Sequence, residues 1–252
     1  MNQQDIRAAA GILLRHWQQS RRLQELPAQC RPQTRAEGYA IQAEVARQSG
    51  QRIVGWKIAA TSKAGQRHIQ VDGPIAGCLL AARARESGAR IALDGNNMKV
   101  AEAEFAFRMG ADLPKRAEAY GVEEVLAAVA TLHTAIEVPD SRYEDFTRVG
   151  APQLIADVAC GCWFVIGPEV SADWRARDLV QHSVSAWRNG ALAGQGSGAN
   201  VLGDPRAALA WIANELCTYG DGLRAGDVVI TGTCLTPVPV EIGDSVKVDF
   251  GE

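Results

Sequence analysis

The 252-residue chain is 47% hydrophobic and 22% charged, with a formal net charge of −3, enough for one substantial core or one core plus a small lobe. That balance leaves no basic field for nucleic acid and no polybasic membrane patch. The longest apolar runs, such as AALAWIA at 207–213, fall far short of a bilayer span. Charges interrupt the opening stretch MNQQDIRAAAGILLRHWQQSRR, where a signal peptide needs an unbroken apolar region, so a cytoplasmic protein is expected. The six cysteines (30, 78, 160, 162, 217 and 234) form no C-x-x-C pair, and the four histidines are dispersed. They read as reduced packing thiols and as no histidine metal site.

In chain order, apolar positions at helical spacing (Ile6, Ala9, Ala10, Leu13, Leu14, Trp17) predict an amphipathic helix over 3–19. Thr34-Arg-Ala-Glu37 has the form of a capping box opening a helix over 35–48, closed by Gly50. RIVGWKIAATS (52–62) is strand-like up to Ala59, and 72–75 (DGPI) reads as a turn. VAEAEFAFRM (100–109) alternates with period two and predicts a strand. An irregular stretch over 112–120 precedes a predicted helix over 121–133 and a short strand over 134–138, stopped by the turn 139–142. A strand is expected over 158–166. SVSAWRNG followed by ALAGQGSG predicts a hairpin, and Pro205 opens a helix over 205–219. LRAGDVVITG and VEIGDSVKVDFG read as two further hairpins. The expected fold is α+β: a small helical N-terminal lobe over 1–75 and a β-rich core over 76–252, working as one functional unit.

The strand at 100–109 poses a chemical question. Its alternation puts Ala101, Ala103, Phe105, Phe107 and Met109 on one face and Glu102, Glu104, Ala106 and Arg108 on the other. Two adjacent carboxylates repel each other, so either this face meets water or a cation holds them. Glu137, in TAIEVPDSR, sits between Ile136 and Val138 in the same alternating fashion. Buried alone it would lose its charge; converging on Glu102 and Glu104 it would complete an oxygen-ligand set suited to Mg²⁺ or Mn²⁺. The residues by themselves leave that convergence open.

Four segments in order, G-W-K-I (55–58), A-E-A-E-F-A-F (101–107), A-I-E-V-P-D-S-R (135–142) and G-S-G-A-N-V-L-G-D-P (196–205), resemble the hydratase/decarboxylase branch of the fumarylacetoacetate hydrolase superfamily. The resemblance runs from about residue 34 to 250. It implies a fumarylacetoacetate-hydrolase-like core of mixed sheets, with Glu102, Glu104 and Glu137 as ligands of Mg²⁺ or Mn²⁺ and Lys57 as the active-site lysine. It places Asp72 and Ser62 with Lys57 in the catalytic group, and Thr61, Asp157, Cys160 and Thr233 around the substrate. Asp140 and Arg142 fit either a turn with its own ion pair or a substrate contact.

The same resemblance implies a small 2-oxo or 2-hydroxy-dienoic acid substrate and a homo-oligomer. The expected reaction is metal-dependent hydration of a 2-hydroxy-2,4-dienoate by way of an enolate. Decarboxylation of a 4-oxalocrotonate-like acid, or a catalytically silent partner subunit, are the alternatives. Lys57 would neutralise the substrate carboxylate or move a proton, with a pKa depressed by the metal beside it. Where relatives carry D-N-A-S, this chain has Asp157-Val158-Ala159-Cys160, then Gly161-Cys162; Val158 and Cys160 remove an amide and a hydroxyl. None of the histidines sits in the context of the base used by the superfamily's hydrolytic branch. His133, nearest to a site motif, fits the end of a helix equally well.

Overall fold

The computed structural model describes residues 1–251. Helix α1 (Gln3–Gln18) starts where the Asn2 side chain accepts a hydrogen bond from Asp5 N. Its buried stripe of Ala9, Ala10 and Leu13 meets Ile41 and Val45 of α2 (Arg35–Ser49). The capping box at Thr34 and Glu37 forms as the sequence predicts, and Gly50 closes the helix. Tyr143 and Ala156 belong to the same cluster, so the two helices are seated on the body of the protein by residues from far along the chain.

Strand β1 (Ile53–Ala59), helix α3 (Lys63–His68), strand β2 (Ile75–Leu80) and a short β3 (Ala84–Glu86) follow. The long β4 (Val100–Met109) leads to β5 (Leu113–Pro114), α4 (Val122–Ala127) and β6 (Val129–Val138). Then come α5 (Ala151–Ala156), β7 (Trp163–Glu169) and the hairpin of β8 (Ser183–Arg188) and β9 (Ala191–Ser197). Helix α6 (Pro205–Tyr219) precedes β10 (Gly222–Leu223), β11 (Val228–Thr233), β12 (Val238–Pro239) and β13 (Val246–Asp249).

The main sheet has the order β2-β1-β11-β4-β6-β7-β3, with β12 paired to β4. It is mixed: β1 runs parallel to β11 and β3 parallel to β7, and the other pairs are antiparallel. The fold is therefore α+β, as expected. One face of β4 carries Ala103, Phe105, Phe107 and Met109 into the largest core cluster, with Leu209, Ile212 and Leu216 of α6. The other face carries the two glutamates, beside a smaller cluster of Leu79, Ala106, Ala135, Phe164, Val228 and Ile230. No helix among the described residues is long and apolar enough to cross a membrane.

Three expectations are corrected. The helix over 121–133 stops at Ala127, and Val129–His133 belongs to β6. Pairing decides there, because β6 is hydrogen-bonded on both sides, Leu132 opposite Phe107 and Ile136 opposite Val165, which overrides the helical preference of an Ala-, Glu- and Leu-rich run. The strand over 158–166 begins only at Trp163. Val158, Ala159 and Cys160 all adopt left-handed backbone (φ 50°, 49° and 61°). The two Gly-Asp turns do not close hairpins: β10 pairs β5, β11 inserts between β1 and β4, and β13 pairs β8. Strand β1 lies inside the main sheet, and α3 is the one helix between Gly50 and residue 75.

Candidate metal centre

The antiparallel register of β4 and β6 sets Glu102 directly opposite Glu137, with Glu104 opposite Ala135. Directly opposed residues share a face of the sheet, so all three carboxylates project together. A carboxylate oxygen from each lies within 4.8 Å of the others, with Glu102 partly buried and the other two buried. Strand β11 then brings in β1: Lys57 pairs Ile230, and Ile230 pairs Ala106, which puts Lys57 on the same face. Its Nζ donates to the Ala159 carbonyl at 2.9 Å and lies 3.2 Å from Glu137 Oε2.

Glu104 Oε2 accepts a hydrogen bond from Gly232 N at 2.7 Å. Glu104 Oε1 and Glu137 Oε1 are buried without a hydrogen-bond partner among the described residues, and Glu137 Oε2 has the Lys57 ammonium beside it. Burial raises the pKa of all three glutamates. At Glu104 the neighbouring carboxylates of Glu137 and Glu102 push it further, well above the usual range; at Glu137 the Lys57 ammonium opposes burial and the value reaches about 7. Burial alone would lower the pKa of Lys57, but Glu137, Glu102 and Glu104 override it and the net shift is upward.

With all three carboxylates ionised, one ammonium would leave an excess of two negative charges. Orphaned oxygens, hard oxygen donors and that excess all fit a divalent cation. Glu102, Glu104 and Glu137 are the residues that can hold it.

The remaining candidates divide. The Thr61 side chain is buried and lies against Gly232, the donor to Glu104, where a β-carbon would come within 2.6 Å of Thr61 Cγ2. Thr233 pairs Glu104 in the β11–β4 register, and its hydroxyl donates to Leu235 O at 2.7 Å. Ser62 caps α3, its hydroxyl accepting from Gly65 N at 3.0 Å. Asp72 is not brought into the cluster: its side chain is 88% exposed and pairs loosely with Arg35 at 3.5 Å. Part of the G-S-G-A-N-V-L-G-D-P segment is a latch beside the site. Asn200 Nδ2 donates to Cys234 O at 2.7 Å and Leu202 N to Thr61 O at 3.0 Å.

Asp157 is engaged within the protein. Its carboxylate accepts from Ser141 Oγ (2.7 Å), Arg142 N (3.0 Å) and Arg142 Nε, all buried. Asp140 and Arg142 are not each other's partners either; Asp140 pairs with Arg22 at 2.7 Å, and Arg142 with Asp157. Cys160 is buried in the left-handed turn, its thiol pKa pushed up to about 12, chiefly by burial. His133 is mid-strand rather than at a helix end, held between Thr131 Oγ1 (2.9 Å) and the Gly167 carbonyl (3.0 Å). Four residues separate it from Glu137, about 13 Å along a strand, too far to activate water at the glutamates. The sequence reading did not single out Gly232 and Gly77, whose missing side chains make room for Thr61 and for the Val158 carbonyl. The Thr-Gly-Thr run at 231–233 was the available signal for the first.

Known proteins resemble this chain over most of its length. The profile of the fumarylacetoacetate (FAA) hydrolase C-terminal family matches residues 43–252. The chain is 36% identical to a 2-hydroxyhexa-2,4-dienoate hydratase of Comamonas testosteroni over 78% of its own length and 74% of the relative's. It is 32% identical to a 4-oxalocrotonate decarboxylase of Pseudomonas sp. (strain CF600) over 86% and 82%. Among solved structures, 4-oxalocrotonate decarboxylase from Pseudomonas putida G7, complexed with magnesium and adipate, superposes with a TM-score of 0.89. That match covers 98% of this chain and 94% of the other at 28% identity. With a family profile spanning most of its length and relatives above 30% identity, the chain belongs to the fumarylacetoacetate hydrolase family.

Proposed function

We propose that the chain is a divalent-metal-dependent lyase that adds water to a 2-hydroxy-2,4-dienoate. The observation that carries this reading is the buried convergence of Glu102, Glu104 and Glu137 beside Lys57. Hydratases of 2-hydroxyhexa-2,4-dienoate and 2-keto-4-pentenoate among the relatives at 36% identity support the substrate class.

A cation held by the three glutamates supplies Lewis-acid stabilisation of the negative charge that develops on the substrate's 2-oxygen. Lys57 presents a buried positive charge beside that position. Both of its observed neighbours, Ala159 O and Glu137 Oε2, are acceptors, so it works as a donor and counter-charge for the substrate carboxylate. Thr61 lies against Gly232 and Thr233 pairs Glu104, so their hydroxyls are candidates to orient water or substrate, with Ser62, the cap of α3, the next residue along. Asp72 enters the reaction only if the loop carrying it turns inward from its exposed position. Asp157 and Cys160 act through the turn they form.

Mg²⁺ is the first ion to test and Mn²⁺ the second, because both take oxygen ligands and keep coordination positions for substrate. A homo-oligomer is proposed as well, to be measured by light scattering. The test of the reaction is the absorbance decay of freshly generated 2-hydroxypenta-2,4-dienoate with Mg²⁺, then with EDTA, in wild type and Glu104→Ala. Decay to 4-hydroxy-2-oxopentanoate that is lost in EDTA and in the variant is the expected result. A folded, metal-binding protein that leaves the diene intact would sink hydration of this substrate. The second reading, decarboxylation of a 2-oxo-enedioate, is favoured by the close superposition on a decarboxylase; carbon dioxide release from such a substrate would establish it instead.

A further inference from the structure

We propose that Arg142 is a positioning residue for the Lys57 ammonium, acting through the carbonyl of Ala159. The proposal rests on the reading of Lys57 as the active-site cation.

Three consecutive non-glycine residues, Val158, Ala159 and Cys160, hold left-handed backbone, a conformation that L-residues adopt singly and at a cost. Such a turn persists only if its surroundings impose it. The Arg142 guanidinium, 1% exposed, does so by bridging both ends. Its Nε donates to Asp157 Oδ1, its Nη2 to the Asp157 carbonyl and its Nη1 to the Gly161 carbonyl at 3.1 Å. Ser141 Oγ and Arg142 N complete the Asp157 carboxylate, and Asp140 N donates to Cys160 O at 2.8 Å. The Trp17 ring lies 4.2 Å from the guanidinium and leaves it little freedom to swing away.

The product of this clamp is the direction of one carbonyl. Ala159, at the middle of the turn, gives its oxygen to Lys57 Nζ at 2.9 Å. That bond and the contact with Glu137 hold the ammonium beside the carboxylate cluster. Arg142 touches none of the three glutamates by hydrogen bond or ion pair. A lysine at 142 would keep the charge opposite Asp157, but a single ammonium lacks the planar fork that reaches both ends of the turn.

The test compares wild type, Arg142→Lys and Ser141→Ala. Amine acetylation, resolved by peptide, reads Lys57 against the exposed Lys247 as internal control. In Arg142→Lys, Lys57 labelling is expected to rise about fivefold or more, with Lys247 unchanged. In the same variant kcat is expected to fall about tenfold to a hundredfold with KM little altered. That loss should vanish when Arg142→Lys is placed in a Lys57→Met background with measurable turnover. Ser141→Ala, which keeps the guanidinium, should move the same readouts in the same direction by less, and decides the question if Arg142→Lys does not fold. Lys57 as protected in the folded variants as in wild type overturns the proposal. So does an equal loss of kcat in both Lys57 backgrounds. A wild-type protein without turnover would instead count against the hydratase reading, and the labelling result would stand apart from it.

Discussion

Gly77 and Val158 meet so closely that a β-carbon on Gly77 would overlap the Val158 carbonyl. Gly77 also pairs Lys57 across β1 and β2, so this contact seats the left-handed turn directly against the strand that carries the lysine. Gly77→Ala is therefore expected to destabilise the fold by about 1–3 kcal/mol, as overpacking does, and to reduce turnover by displacing Ala159 O from Lys57. Gly73→Ala, where nothing lies within 4 Å of the added carbon, should be nearly neutral in both respects. Urea denaturation and the diene assay on the two variants check this; equal behaviour would refute the seating role.

Gly232 makes a second close approach. Its φ of 98° is disfavoured for any side chain, and a β-carbon would strike Thr61. Its N–H meanwhile donates to Glu104 Oε2. Gly232→Ala should rotate that donor away and weaken metal binding by about 10- to 100-fold, the usual effect of losing a partner that orients a ligand. Calorimetric titration with Mg²⁺ or Mn²⁺ measures it directly, without reliance on turnover. Unchanged affinity would mean that the Gly232 contact does not orient the glutamate.

The sequence made the acidic face readable because the alternation in β4 is regular. Its apolar face, Ala101 to Met109, is buried to 4% exposure or less at every position, so the strand has one register and one outward set. Helices α2 and α6 were equally visible, since their caps are local in sequence. What stayed hidden depends on distant partners. The first half of β6 has helix-forming residues, and only its neighbours β4 and β7 make it a strand. The left-handed turn at 158–160 has no glycine to announce it; it follows from a buried guanidinium 15 residues upstream of Asp157. Asp72 resembles a site residue by position, yet its carboxylate is exposed.

Acid sensitivity should contain a contribution from Glu44. Hydrogen bonds from Arg47, then from Gln48, hold its carboxyl down from 4.5 to about 2. A depressed carboxylate binds fewer protons in the folded than in the unfolded state, so its stabilisation is present above pH 4.5 and is lost as pH falls toward 2. Wild type should therefore exceed Glu44→Gln in stability at neutral pH. The gap should close across that acid window, followed by denaturant titration in EDTA to exclude metal effects. A gap independent of pH would assign the difference to packing instead.

Function and stability should oppose each other at Glu104. It is fully buried, one oxygen has no hydrogen-bond partner among the described residues, and two other carboxylates crowd it. Glu104→Gln keeps an acceptor for Gly232 N and removes a charge that burial and repulsion disfavour. In EDTA the variant is expected to be more stable than wild type by on the order of 1 kcal/mol. Saturating Mg²⁺ should reverse the order, because a ligand bound only by the native state stabilises wild type and gains little purchase on a site short of one carboxylate. Thermal melts with and without metal test both halves. A variant less stable than wild type in EDTA would mean that the carboxylates already have adequate partners within the protein, and the case for a resident cation would weaken with it.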